Sequence, residues 1–464
     1  MVGWRSFRQG IRAVGQDRIM ILQDWWYTTL LSHRYSNCPP LTEDLRCDVL
    51  IIGGGMSGVM AAAEFIGQGR SVVLLERNVL GGSSTGRSAG FLTPDSELEL
   101  SQLLRRYGVS GARELWEVPV RGIEMIVANV RKHGIDCDLI RQDSLFVGIG
   151  RSGREDIAEE MKSRTALGFP STHYTAEQLK TVLHAEGYTG AVRYSDTYGI
   201  NALQYAQGMK QVLLENGIRV FESTEVRDIK DHTARTHAGS VTAEAIIVAI
   251  DKMTPAFNAL ANEVFHAQTF LSISEPLRDA EVRAVFPGDH FQCWDSTLVY
   301  SYFRLTGDQR MLLGGGSALT TFMRHAYTSP RVIAGVIAGF QAHFPTLRRL
   351  RFIQYWPGLI DSTRDLLPVV VRPPGCDHLH FILGVVGLPW ASFSGSFAAR
   401  NVLGTATKDD HRYYQYFSDR RHFFLRAGLE RILGKPLLFS VNNAWAKYYQ
   451  VDRNNRLPER SGDF

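Results

Sequence analysis

Long apolar runs are missing from this chain. The longest uncharged apolar stretch, FILGVVGLPWASF from Phe381, falls well short of the ~20 residues that a membrane-spanning helix requires. No transmembrane helix is therefore expected. Cysteine is scarce: the five residues are scattered, with no C-x-x-C pair and no His-rich partner segment. That excludes a zinc site or a disulfide framework and points to reduced thiols in a cytoplasmic protein. Cys137 lies between Asp136 and Asp138, carboxylates that raise its pKa and make it a poor nucleophile. Strong charge is lacking too. The net charge is +4, with no long basic block, so a nucleic-acid partner is not expected. At 464 residues the chain is too long for one compact core, and two domains or an interleaved pair are expected.

Glycine, by contrast, is concentrated. The stretch CDVLIIGGGMSG places Gly53, Gly55 and Gly58 directly after an apolar run. Val49 to Ile52 is apolar on both faces and mostly β-branched, the pattern of a fully buried strand. The small and apolar residues of VMAAAEFIGQG then read as a helix, and SVVLLE as a second strand ending on Glu76. Strand, glycine turn, helix, strand and terminal acid together form a dinucleotide-binding unit. The first glycine permits the turn, the second admits a pyrophosphate to the backbone, and the third lets helix and strand pack closely. The helix N-terminus, with Met56 and Ser57, offers free N–H groups to phosphate, and Glu76 can accept from both ribose hydroxyls.

Further along, GINALQYAQGMKQVLLEN reads as a helix, and GIRVFESTEVRDIKD and AEAIIVAID as strands. The nucleotide-binding sheet is thus assembled from separated pieces of sequence. Between them SGREDIAEEMKSRTALG reads as an exposed charged helix, and STLVYSYFRLTGDQRMLLGGGS as a hairpin around TGDQ. Tyr300, Tyr302 and Arg304 would alternate onto one face of that hairpin, part of an antiparallel sheet able to roof a ligand. The triple glycine at Gly314 is read as a sheet-edge turn, and His378 and His380 as structural. HLHFILGVVGLPWASFSGSFAARNVLG repeats strand, glycine turn and helix. Both ends of the chain are basic and amphipathic: Trp4, Phe7, Ile11 and Val14 recur among Arg5, Arg8 and Arg12, and RRHFFLRAGLERILGK starts at Arg420. They read as helices packed on the body, with peripheral membrane contact as the alternative.

Four segments in order, IIGGGMSG with Glu76, GGSSTGRSAGF from Gly81, YFRLTGDQRMLLGGGS, and WPGLIDSTRDLLPVV followed by GVVGLPWASF, resemble the D-amino-acid-oxidase-like family of FAD-dependent oxidoreductases. Within it the chain is similar to the branch of γ-glutamylputrescine-oxidase-like and sarcosine-oxidase-like proteins. The resemblance implies an α/β fold, a Rossmann-like FAD-binding domain interleaved with an α+β substrate domain on an antiparallel sheet. The FAD-binding parts are then 45–130, 196–262 and 351–408, the substrate-domain parts 131–195 and 263–350. A leader occupies 1–44 and a C-terminal helical extension 409–464.

The resemblance also implies roles. Adenosine diphosphate lies on the first motif with Glu76 and Arg77, and adenine faces the backbone near Val226. Ser83, Ser84, Thr85, Arg87, Ser88, Ala89, Gly90 and Phe91 lie under the pyrophosphate, ribityl chain and flavin. Gly358, and the helix start formed by Gly387, Leu388, Pro389 and Trp390, meet the flavin ring, where the helix N-terminus stabilises the anionic reduced edge. Tyr302, Arg304 and Trp390 are the candidates for the substrate wall. Two departures matter. Ile360 stands where relatives that oxidise free amino acids carry a carboxylate-binding arginine, with Arg304 or Arg364 as substitutes. No cysteine lies between Phe352 and Leu367, and Cys376 is too far along, so dissociable FAD is expected.

The implied reaction removes a hydride from the carbon next to an amine nitrogen of a small-molecule amine or N-substituted amino acid, and the electrons pass to oxygen or another acceptor. Three readings compete with it: an FAD-dependent 2-hydroxy-acid dehydrogenase, a flavin-containing assembly or membrane-associated binding module without turnover, and an NAD enzyme. The last is disfavoured because the Ser83–Phe91 segment and the Gly387 turn suit a flavin.

Overall fold

The structure is a computed structural model that describes residues 20–33, 35–95, 97–250, 264–297, 299–317, 327–363, 365–373, 375–419, 421 and 437. The two basic amphipathic termini lie almost entirely outside these residues, and Arg364 lies outside them as well.

The strand Leu45–Ile52 sits mid-sheet. Parallel neighbours are Val72–Leu75 on one side and Ser240–Val248 on the other. Arg219–Phe221 extends the sheet past the former, and Leu379–Leu383 past the latter, both parallel. Five parallel strands from three separated stretches of sequence, 45–75, 219–248 and 379–383, therefore make one sheet. Their apolar runs are explained by cover on both faces. Val49, Ile51, Val72 and Leu74 point into a core shared with the helices, and Leu50, Ile52, Val73 and Leu75 into a second core with Val226, Val241 and Phe381. The helices Met56–Glu64 and Leu388–Leu403 pack so closely that a Cβ on Gly395 would fall 2.0 Å from the Ser57 carbonyl oxygen. The helix Leu100–His133 runs beside them, broken in register at Gly108 and ended by left-handed Gly134.

The second layer is a nine-stranded sheet. Its order begins with Ile21–Leu22, Phe352–Ser362, Phe265–Pro276, Arg310–Gly315 and Tyr302–Leu305, and continues with Gln292–Asp295, Ser144–Ile149, Tyr188–Tyr194 and Thr172–Thr175. It is antiparallel except where Ile21–Leu22 meets Phe352–Ser362 and where Gln292–Asp295 meets Ser144–Ile149. The helix Arg331–His343 shares an apolar core with one face of it.

Two expectations, for Gly314 and for Tyr300, change. Gly314 and Gly315 form no edge turn: they lie inside a strand paired on both sides, with Tyr302 opposite Gly314. A Cβ at Gly314 would fall 2.2 Å from the Tyr302 ring, so glycine makes room for that ring. Tyr300 precedes the hairpin strand, which starts at Tyr302. The leader, from residue 20 onward, is built into the body: Ile21 and Leu22 add to the sheet and Trp26 is 2% exposed. Similarly, Tyr413, Tyr416 and Phe417 join the helical core. Cys137 is pushed up to about 12, as expected in direction, but burial is the main cause and the flanking carboxylates come second. His378 stacks on His232 at 4.0 Å, and His380 is buried, its pKa lowered to about 4 chiefly by that burial. Among the described residues no helix is long and apolar enough to cross a membrane.

Candidate FAD and substrate site

At the sheet tip Gly53 takes φ 105°, a conformation that favours glycine. The helix begins at Met56 with Gly55 as its cap, a residue with no side chain to bond the first N–H groups. A Cβ on Gly58 would lie 1.8 Å from the Gly53 carbonyl oxygen, so the third glycine serves close packing. Glu76, 6% exposed, accepts from the Gly54 and Asn78 N–H groups, both at 2.8 Å. Burial raises its pKa and these two bonds oppose the rise. Thr85 Oγ1 accepts from the Met56 N–H at 2.9 Å, tying the second glycine-rich segment to the helix start. Arg77 is exposed, and Val226 is buried in the core under the sheet.

A cavity of about 400 Å³ opens between the two layers. Ser84, the run Arg87 to Phe91, Gly358 and Ile360 line it, as do Tyr302 and the helix start Gly387 to Pro389. Gly387 caps that helix at φ 91°, and Pro389 occupies its first turn, where a missing N–H costs nothing. Ser84 donates to the Leu359 carbonyl at 2.9 Å, and Trp356 donates to the Arg87 carbonyl at 3.2 Å. These bonds lock the glycine-rich segment to the long strand. Gly53, Gly55, Met56, Ser57 and Gly58 lie outside this cavity's wall, as do Glu76, Ser83 and Thr85.

Two candidates for the substrate wall sit elsewhere. Arg304 is fully buried, donating from Nε to the Ala89 carbonyl and from Nη2 to the Ile200 carbonyl, both at 2.7 Å. Burial lowers its pKa to about 10. It braces the segment beneath the cavity and is not a carboxylate clamp. Trp390 is buried in the helical core, one residue past the helix start that reaches the cavity. Tyr302 does line the wall, its ring 5.8 Å from that of Phe91.

The structure adds an acidic wall that the sequence reading passed over. Asp95, Glu97, Glu99 and Asp295 all line the cavity. Asp295 is satisfied by the turn it closes, accepting from Thr297 N at 2.9 Å and Ser301 N at 3.1 Å. Glu97 accepts from the Tyr300 hydroxyl at 3.0 Å, and burial raises its pKa to about 7. Asp95 is raised well above the usual range, first by burial and then by the neighbouring carboxylates Glu99, Glu160 and Glu97. The signal was present in TPDSELEL, where acids at alternate positions follow the glycine-rich segment.

The residues fit FAD. A glycine-capped helix start and a strand-tip carboxylate stand at the tip of the parallel sheet. The cavity wall adds a second glycine-capped helix start and Arg87, whose buried Nε has no partner. Glycine-rich phosphate turns on a parallel sheet, roofed by a largely antiparallel one, define the two-domain flavoprotein class of oxidoreductase. Residues 48–399 match the family described as DAO, FAD dependent oxidoreductase, and the chain belongs to it. It is 28% identical over 395 residues to γ-glutamylputrescine oxidoreductase of Escherichia coli strain K12, covering 83% of this chain and 90% of that protein. It is 25% identical over 387 residues to the probable oxidoreductase OrdL of Haemophilus influenzae, covering 81% and 86%. Among solved structures, glycine oxidase from Geobacillus kaustophilus superposes with a TM-score of 0.71 at 20% identity, covering 82% of this chain and all 100% of the other.

Proposed function

We propose that this FAD-dependent oxidoreductase oxidises the carbon–nitrogen bond of a small amine or N-substituted amino acid, with FAD held non-covalently. The observation that carries the reading is the cavity itself: it joins the Ser84–Phe91 segment and the Gly387 helix start to a roof of aromatic and acidic side chains. The parallel sheet and its helices would hold the cofactor, and the nine-stranded sheet would hold the substrate. FAD, when bound, supplies the two-electron acceptor, with oxygen or another compound reoxidising it.

The chain's own residues would bind, orient and desolvate. Gly53, Gly55 and Gly58 give phosphate access to the helix start at Met56 and Ser57. Glu76 retains lone pairs for ribose hydroxyls. Arg87 would offset phosphate charge, and the N-terminal end of the helix Leu388–Leu403 would stabilise negative charge developing at the cofactor. Tyr302 and Phe91 keep water from the reacting amine, which favours its neutral form. No side chain is needed as an obligatory base, because positioning and the cofactor suffice.

Two features of the wall support this reading over its rivals. No histidine lines the cavity among the described residues, and a 2-hydroxy-acid dehydrogenase calls for a base at that place. No cysteine lines it either, in keeping with dissociable FAD. Peripheral membrane contact through the basic termini stays a proposal that vesicle sedimentation would test. The deciding experiment is anaerobic mixing of the holoenzyme with a panel of amines, amino acids and hydroxy acids while the visible flavin band is followed. Bleaching by amines or amino acids is expected, and bleaching by hydroxy acids alone overturns the reading.

A further inference from the structure

The leader brings a carboxyl group to the cofactor segment, and its sequence neighbours fix where it stands. Asp24 caps the short helix Trp25–Thr29, one carboxyl oxygen accepting from the Trp26 N–H at 3.0 Å. The Trp26 indole donates to the Ser88 carbonyl, and the Tyr27 hydroxyl to the Gly82 carbonyl. Trp356, edge-on to Trp26, donates to the carbonyl of Arg87 itself. Asp24 and Arg87 are thus tied together through two tryptophans, although they are far apart in sequence.

Each of the two keeps a buried polar atom without a partner: Oδ2 of Asp24 and Nε of Arg87. Buried polar atoms are nearly always satisfied, so an orphan on each of two opposite charges calls for an explanation. A helix cap needs one oxygen and no charge, and it leaves both orphans unexplained. The Arg87 side chain lines the cavity, where a ligand can reach it, and Asp24 stands behind that wall. Arg87 is the described cation whose charge acts on Asp24. On the same short helix Tyr27 faces both of them, its phenol pushed up first by burial and then by Asp24; Glu76 and Glu222 also act on it. Arg310 lies over the neighbouring Trp25 ring, and its Nε is bonded to Asp308.

We infer that Asp24 is a positioning residue of the cofactor site, the counter-ion of Arg87 that shares its guanidinium with the phosphates of FAD. The inference rests on the proposed function only for Arg87 meeting FAD, and amine oxidation has no part in it. Two anions that draw on one cation repel each other, so each weakens the other's hold. The Asp24 carboxyl is raised to about 7 by burial, against the pull of the Trp26 N–H and of Arg87. FAD on Arg87 raises it further, so the holoenzyme takes up a proton at Asp24. FAD retention is therefore strongest below about 7 and falls as pH climbs past that value.

The test follows FAD release from the full-length holoenzyme on dilution, from well below to well above pH about 7, by the fluorescence of free FAD. Asp24→Asn keeps the cap, because asparagine caps helices about as well as aspartate, and it removes the charge. Above that pH the variant is expected to hold FAD at least about fivefold more tightly than the unsubstituted protein. Well below it the two should agree. Asp24→Ala, which loses the cap as well, should show the same pH profile and a lower Tm. The visible spectrum of bound FAD shows that each variant is folded. Glu97 titrates over the same window, so the part of the fall that Asp24→Asn abolishes is the part assigned to Asp24. If Asp24 is only a cap, Asp24→Asn is silent: equal dissociation constants at every pH overturn the inference, as does a looser hold above about 7. Arg87→Gln tests the reading beneath it. Unchanged retention in that variant overturns the role given to Arg87 and the inference with it. Weakened retention there, with Asp24→Asn silent, overturns the counter-ion alone.

Discussion

The Trp26 indole N–H donates to the Ser88 carbonyl at 2.8 Å, a bond between residues 62 positions apart that fixes the leader onto the segment assigned to the flavin. Tyr27 adds a second bond, from its hydroxyl to the Gly82 carbonyl at 2.9 Å. Trp26 also meets Trp356 edge-on at 6.5 Å, and the Arg304 guanidinium lies over its ring. The leader is thus a clamp on the backbone that runs from Gly82 to Ser88. Trp26→Phe keeps much of the packing and removes the donor, leaving a part-buried carbonyl short of a partner at a cost of about 1 kcal/mol. The expected outcome is weaker FAD retention and a lower Tm, measured by fluorescence titration of apoprotein and by thermal unfolding. Unchanged FAD affinity would mean the clamp serves stability alone.

A buried ion pair closes the other side of the same arrangement. Lys210 and Glu222 are 3.2 Å apart, with side chains 0% and 1% exposed. Glu222 also accepts from Cys38 N and Leu80 N, both at 2.6 Å, and Lys210 donates to the Ser36 carbonyl at 2.8 Å. Removing one member leaves the other charged and unpaired in the interior, a loss of about 3–5 kcal/mol. Lys210→Met should therefore lower the denaturant midpoint strongly. Lys210→Met combined with Glu222→Leu should recover part of the loss, since a buried pair is often no more stable than apolar residues in its place. A double variant no more stable than the single one would contradict this account.

These two contacts show where sequence reading stops. The glycine turn, Glu76 at the strand tip and the helix start at Gly387 were legible because each is a local pattern: an apolar run, a spacing of glycines, a change of period. The strands that return to the parallel sheet were legible from their uninterrupted apolar character. Arg304 was placed correctly on a hairpin strand and given the wrong task, because its partners, Ala89 and Ile200, are 215 and 104 residues away. Lys210 and Glu222 are ordinary charges in sequence, and only their joint burial gives them meaning. The acids of TPDSELEL were visible but had no partner in view until the fold brought Tyr300 beside Glu97.

The pairing of Gly314 with Tyr302 gives a third test. A methyl group at Gly314 would sit 2.2 Å from the ring, closer than any real contact, in a strand bonded on both sides that cannot shift freely. Gly314→Ala should swing Tyr302 out of its position at a cost of about 1–3 kcal/mol for overpacking. Substrate-dependent bleaching should slow more than FAD binding weakens. Stopped-flow reduction and FAD titration on the same variant separate these effects, and an equal loss in both would place the damage in the fold instead of the wall.

Glu97 sets the expected pH dependence. Its carboxyl is raised from 4.5 to about 7 by burial, while the bond from Tyr300 works the other way. A carboxyl whose pKa rises on folding stabilises the fold in its neutral form. Its contribution is full below 4.5 and is lost as pH climbs through about 7, so by linkage the unliganded protein should weaken over that window. Glu97→Gln carries no proton there and should flatten the fall. Thermal unfolding of the protein without added substrate, followed from below pH 4.5 to above about 7, measures it. A fall that persists undiminished in the folded variant would assign the titration to another group.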